Sequence, residues 1–190
     1  AVLNASTGIG FNTNGDIDPI EANVDNLHAR NSFSGGIFID NTGDLNITVL
    51  NSSIAGSDGL TAVGGGNITA TGSLSVLNTT TFTSNLELTS GENLTIASDV
   101  TLSSGSGSLT LGANNDVLHT SGTISATSGN LTAIFTGDRD TSGAGNISQT
   151  GGVLNAFAAS FSAASDVTFN QNNTASTISA SITGGGFSYT

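Results

Sequence analysis

The feature that most constrains this chain is a short alternation of apolar and polar residues, broken by Gly, Asn, Ser or Asp every five to ten positions. Alternate side chains of an extended chain point to opposite faces, so each such run reads as a strand with one buried aliphatic face. Clear runs are Ile37–Ile39, Leu45–Val49, Asn67–Ala70, Leu74–Val76, Leu86–Leu88 and Leu94–Ile96. The pattern continues through Val100–Leu102, Leu109–Leu111, Val117–Leu118, Ile124–Ala126, Leu131–Ile134 and Ile147–Ser148. Helical patterning is weak. Ile20, Val24 and Leu27 stand at helix-like spacing, yet Leu27-His28-Ala29 alternates and the segment lacks strong helix formers, so Ile20–Arg30 reads as strand.

The runs share an irregular repeat: a turn, then Asn, an aliphatic residue, and Thr or Ser. It recurs as Asn46-Ile47-Thr48, Asn67-Ile68-Thr69, Asn93-Leu94-Thr95, Asn130-Leu131-Thr132 and Asn146-Ile147-Ser148. The first spacings, 21 and 26 residues, suit one coil of a parallel β-helix, and the next gap of 37 leaves room for a coil whose Asn is replaced near Gly122-Thr123-Ile124-Ser125. A strand of three to five residues buries little alone, whereas identical apolar positions stacked coil on coil make one continuous core. A β-sandwich needs longer strands and a systematic series of hairpin turns, and only Asn14-Gly15 and Ser57-Asp58-Gly59 are candidates here. The expectation is an all-β, right-handed parallel β-helix of about eight coils, on the order of 40 Å long at roughly 4.8 Å per coil.

The 190 residues read as one solenoid, with irregular first coils over 1–33, regular coils over 34–135 and aromatic-richer last coils over 136–190. Phe135 and Phe157 lie 22 residues apart and are expected to stack in successive coils, while Leu154–Ala164 reads as a wider coil or short helix.

Composition removes most chemistry. There is no Cys, Met, Trp or Lys, only two Arg (Arg30, Arg139), two His (His28, His119) and fourteen Asp or Glu, giving a formal charge of −12. Thiol, zinc-ribbon, Schiff-base and P-loop lysine chemistry are thereby excluded. A nearly unopposed negative field repels nucleic acid and anionic membrane surfaces, and no apolar run approaches the ~18 residues of a membrane span. The opening AVLNAS shows no charged-then-apolar leader pattern, so an export signal is expected to have been removed or to lie upstream.

The runs Ala5–Gly10, Ile20–Ala29 and Ser34–Leu45, followed by Gly64–Val76 and Ser90–Leu102, resemble repeats of filamentous haemagglutinin-like proteins, very large secreted bacterial exoproteins. The resemblance spans residues 1 to about 135. It implies a right-handed β-helix displayed at the cell surface or shed, serving as an adhesin shaft or matrix fibre, and supplies no catalytic residues.

Candidate sites are few. Asn12–Asp18 followed by Glu21 offers Asp16, Asp18 and Glu21 as calcium ligands around a Gly turn, against an ordinary Asn-Gly turn with solvated carboxylates. Asp138-Arg139-Asp140 could likewise face a cation, with surface pairing through Arg139 as the simpler reading. Asp99 with Asp116, or Glu87 with Glu92, could approach in adjacent coils as a glycosidase pair needs, but the middle of the chain lacks basic or aromatic residues to hold a sugar. His28 and His119 read as solvent-facing. Gly64–Gly66 and Gly184–Gly186 read as turns, and the Asn-x-Ser/Thr strings follow from composition. Thr79–Thr83 hints at an ice-ordering face without a fixed period.

The expected function is a non-enzymatic, extracellular or cell-surface structural protein, a shaft or fibre component that needs no cofactor and can associate through its solenoid ends. A host or matrix glycan or protein is a further candidate partner. The alternative is a carbohydrate-binding or polysaccharide-cleaving β-helix, for which a groove lined by Phe or Tyr with carboxylates would be the discriminator.

Overall fold

The computed structural model describes residues 1–10, 18–103, 107–126 and 132–190. The chain winds into a three-faced solenoid in which every strand pairing is parallel and joins one turn to the next. The chain opens with β1 (Val2–Ala5) on the third face, and the first full turn contains β2 (Ile20–Ala22) and β3 (Asn26–Asn31), whose end stacks on β1. The next carries β4 (Ile37–Asn41), β5 (Leu45–Ile47), the four-residue helix α1 (Ser52–Ala55) and β6 (Leu60–Ala62). Two regular turns follow, β7 (Gly66–Ala70), β8 (Leu74–Val76) and β9 (Thr80–Phe82), then β10 (Leu86–Ser90), β11 (Leu94–Ile96) and β12 (Val100–Leu102). Beyond them come β13 (Ser108–Ala113), β14 (Val117–His119) and β15 (Thr123–Ala126), then β16 (Thr132–Gly137) and β17 (Ile147–Gln149). The last turns are built from β18 (Val153–Ala163), β19 (Val167–Phe169), β20 (Thr174–Ile182) and β21 (Phe187–Tyr189).

The first face stacks β2, β4, β7, β10, β13, β16 and the second halves of β18 and β20. The second face runs from the start of β3 through β5, β8, β11, β14, β17 and β19 to β21. The third comprises β1, the end of β3, β6, β9, β12, β15 and the first halves of β18 and β20. The result is about seven turns, in accord with the expected parallel β-helix.

The three-residue strands show why so short a segment suffices. All but β2 and β21, at the two ends of the rod, bury their two outer residues and turn the middle one outward. On the second face Leu45, Leu74, Leu94, Val117, Ile147 and Val167 lie in one register column, all buried. Turn length varies only at corners. Register partners Thr69 and Thr89 are 20 residues apart, whereas 30 separate Asp116 from Asn146, where 138–145 loop outward. The segment 48–59 is a second insertion, and its helix α1 is capped by Asn51, whose Oδ1 accepts from Ser53 N at 3.1 Å.

Three sequence expectations need correction. Gly66 is not loop: it begins β7 inside the core between Ile37 and Leu86, and the Phe82 ring fills the space its missing side chain leaves. Phe157 does not stack on Phe135. It sits 41 % exposed at the bend where β18 passes from third to first face, and the bend interrupts the alternation. Phe161 is the register partner of Phe135, their rings 5.1 Å apart and stacked at 11°. Leu154–Ala164 is therefore strand up to Ala163, with no helix.

Leu94→Ala should cost ~2–5 kcal/mol, because the fixed columns above and below cannot close over the gap. Gly66→Val should cost at least as much by forcing the Phe82 ring out of its place. Urea unfolding of both variants beside the parent chain checks these values.

Candidate functional site: the corner ladder and the first face

The corner between the first and second faces carries one residue per turn immediately before the second-face strand: Asp44, Ser73, Asn93, Asp116, Asn146, Asp166 and Gly186. Their side chains form a ladder along the rod. Asp44 Oδ1 accepts from Ser73 N at 2.8 Å, Asn93 Oδ1 from Asp116 N at 3.1 Å, and Asp116 Oδ1 from Asn146 N at 2.8 Å. Asn146 Oδ1 then accepts from Asp166 N at 3.2 Å, and Asp166 Oδ1 from Gly186 N at 2.8 Å. Only Ser73 interrupts it, donating its hydroxyl to Glu92 Oε2 instead. Asp99 and Asn85 do the same work at the other corners, accepting from Thr123 N and Ser108 N. A backbone N–H at a corner has left the strand ladder, and the short Asx side chain of the neighbouring turn satisfies it.

The Asn of the sequence repeat thus has two roles. Asn93 and Asn146 are ladder members, whereas Asn46 and Asn67 point outward from mid-strand and bond a neighbouring turn sideways, Asn46 to Asn26 Oδ1 of the preceding turn and Asn67 to Glu87 Oε2 of the following one, both at 3.3 Å. The carboxylates considered as catalytic pairs are not brought together. Asp99 and Asp116 occupy different corners and each holds a backbone amide, while Glu87 lies on the first face and Glu92 at the ladder corner.

The first face is polar and shallowly concave. Glu21 and Asp40 are register partners there, beside Asn67, Thr69 and Thr71. Thr89 Oγ1 donates to Thr69 Oγ1, Thr69 Oγ1 to Asn67 Oδ1, and Asn67 Nδ2 to Glu87 Oε2. Arg139 closes this chain: its side chain crosses the face where Gly112 offers no Cβ, and its guanidinium lies 3.9 Å from Glu87 Oε1. Phe38, Asn67, Glu87 and Thr110 line a second shallow groove beside it. Of the proposed calcium ligands, Asp16 lies outside the described residues, and Asp18 and Glu21 are exposed. Among the described residues no three His, Cys, Asp or Glu side chains gather as metal ligands would.

The loop between β16 and β17 is wrapped around a carboxylate. Asp138 accepts from Ser142 Oγ at 3.1 Å and from Gly143 N at 3.2 Å, and Asp140 Oδ1 accepts from Ser142 N at 3.2 Å. The Ser142 bonds hold the exposed Asp140 carboxyl below the usual carboxylate range. Asp138 and Thr141 adopt left-handed φ of 70° and 57° to make this closure. The readable signal was the spacing Asp138, Asp140, Ser142, Gly143, which places short oxygen side chains inside one turn.

Both histidines are buried, against the expectation of solvent-facing side chains. His28 lies beneath the 48–59 insertion, and its Nδ1 accepts from Leu50 N and Asn51 N, each at 3.1 Å, so its proton sits on Nε2. His119 points into the core, its Nε2 donating to Gly122 O at 3.1 Å and its Nδ1 accepting from Gln149 Nε2 at 3.4 Å. Burial holds the His119 pKa below its ordinary value. Alternation alone could not reveal this, since His119 occupies a position that is Ile96 one turn earlier.

No family model, curated protein or solved structure matches the chain.

Asp116→Ala should destabilise the fold by about 1–3 kcal/mol, because the Asn146 amide loses its acceptor. Asp116→Asn, which keeps an oxygen there, should cost less. Asp40→Ala should fall within about 0.5 kcal/mol of the parent, since it removes an exposed charge beside Glu21. Thermal unfolding at neutral pH ranks the three.

Proposed function

We propose that this chain is a structural element of an extracellular or cell-surface bacterial protein, an adhesin shaft or matrix fibre wound as a right-handed β-helix of the filamentous haemagglutinin-like kind. The observation that carries the reading is that polar side chains on the corners and the first face are spent on the neighbouring turn. They tie the rod along its length. A stack held together this way transmits load from turn to turn and presents the same small polar surface over a long reach. With two Arg and no Lys it also offers trypsin-like proteases few cleavage sites, which suits life outside the cell.

End-to-end association belongs to the same proposal. A parallel coil is completed only by another coil stacked on it, and Ile178 of β20 and Phe187 of β21 are exposed apolar side chains that a further coil would cover. A second reading, carbohydrate binding, is favoured by one feature: Phe38 shares a shallow groove with Asn67, Glu87 and Thr110, placing an aromatic ring beside polar groups.

Immunogold labelling of source cells with antibody to the purified chain should decorate the cell envelope or shed fibres, and label confined to the cytoplasm would overturn the proposal. Negative-stain microscopy over a concentration series tests the ends: growing fibres of uniform width support association, and single rods at every concentration reject it. Retention on a glycan array, lost in Glu87→Ala, would support the second reading over the first.

A further inference from the structure

We infer that the cluster of buried His119 and Gln149 with half-buried Asn173 is an acid-sensitive latch that holds the last turns of the solenoid in place. The cluster spans three consecutive turns on the inside of the corner between second and third faces. Gln149 Nε2 donates to Asn173 Oδ1 at 2.9 Å and to Gly152 O at 3.3 Å, while Gln149 Oε1 accepts from Asn173 Nδ2 at 2.7 Å and from Gln171 N at 3.3 Å. Asn173 also donates to Phe169 O at 3.1 Å and accepts from Leu154 N at 2.9 Å. Every bond fixes the direction of the next. Gln149 cannot flip its amide without breaking the bonds to Asn173, Gly152 and Gln171; one N–H goes to Asn173 Oδ1 and the other is shared between Gly152 O and His119 Nδ1, so the amide presents a donor to the ring.

That donor makes the latch specific for neutral imidazole. With Nε2–H committed to Gly122 O, a second proton has only Nδ1 to occupy, where it would meet the N–H of Gln149. The ring has no room to turn away, because Gly152 passes against its Nε2 edge and Phe169 packs 6.2 Å from it, centroid to centroid. No counter-charge is at hand. The titratable groups on the packed elements are Asp99, Asp116 and Asp166, which hold backbone amides at their corners, the exposed loop of Asp138, Arg139 and Asp140, and Tyr189, whose burial raises its pKa. Among the described residues His28 is the only other buried titratable side chain, and it lies at the far end of the rod.

The direction of the pH effect follows. The folded His119 takes up a proton less readily than the unfolded one, so stability is full above about pH 6.5. It is lost as the pH falls below that value, and the loss ends at the lower folded-state pKa. In a solenoid each turn contacts only its neighbours, so the loss appears as local opening of the turns carrying β17, β19 and β21.

Amide hydrogen exchange of the intact chain at pH 7.5, 6.5 and 5.5, corrected for intrinsic rates, tests this. The opening constant of β17, β19 and β21 should rise up to about ten-fold per pH unit below 6.5, with β5, β8 and β11 less affected. His119→Gln should flatten the dependence in the last turns while leaving that of the first turns in place. Equal pH dependence in parent and variant, or unchanged protection of the last turns at pH 5.5, overturns the inference. If the variant does not fold, long-range proton–nitrogen NMR of the parent decides: an Nε2–H tautomer still neutral in the folded chain at pH 5.5 agrees. Titration near pH 6.5 with the turns still protected refutes.

Discussion

Everything in this chain depends on the parallel hydrogen-bonded contact between one turn and the next. A strand such as Leu94–Ile96 has no partner within its own turn. Its N–H and C=O groups are met by the turn carrying Leu74–Val76 on one side and the turn carrying Val117–His119 on the other. That contact fixes the register of the whole rod, so an inward residue must fit the column above and below it. Length changes are tolerated only where the chain leaves the ladder. The 48–59 and 138–145 insertions both fall at corners for this reason, and the interior columns run past them without a break.

The same stacking imposes an electrostatic problem that the sequence resolves in one place and leaves open in another. Turns about 4.8 Å apart bring equivalent side chains within strong repulsive range if both carry charge. Along the corner ladder the order Asp44, Ser73, Asn93, Asp116, Asn146, Asp166, Gly186 never sets two carboxylates side by side. Neutral and charged acceptors interchange because the ladder needs an oxygen at each step and no charge. On the first face Glu21 and Asp40 do stand in register, at the exposed N-terminal end where water screens them. Further along that face Glu87 is met by Arg139, whose approach depends on Gly112.

The fold was legible because alternation of period two survives even in three-residue strands, and because a strand that short has no stable alternative to stacking. Register was less legible. The Asn–aliphatic–Thr unit mixes residues of different faces, with Asn67 on the first and Asn93 at the corner before the second, so its spacings of 21 and 26 residues do not measure a turn. Phe157 misled for a related reason: the alternation shifts by one residue at the bend inside β18, and no turn residue marks the shift. The polar interior was hidden altogether. His119 and Gln149 continue a column of aliphatic residues, and nothing local distinguishes an inward polar residue with partners in the neighbouring turn from an outward one.

That interior polarity falls where the apolar pattern specifies register least. The regular middle turns present mostly Leu, Ile and Val at their inward positions, whereas β18 and β20 bring Ala156, Ala159, Ala163, Ala175 and Ala180 together beside Leu154, Phe161, Ile178 and Ile182. Sliding one such strand by two residues keeps apolar side chains inward. Directional hydrogen bonds remove that freedom. Asn173 reaches both Gln149 and the backbone of Leu154, so a slip of β20 past β18 would leave buried amide groups unpaired, at a cost of about 1–3 kcal/mol for each. The cluster therefore exchanges some burial free energy for a single alignment of the last turns, and the imidazole at its head makes that alignment conditional on protonation.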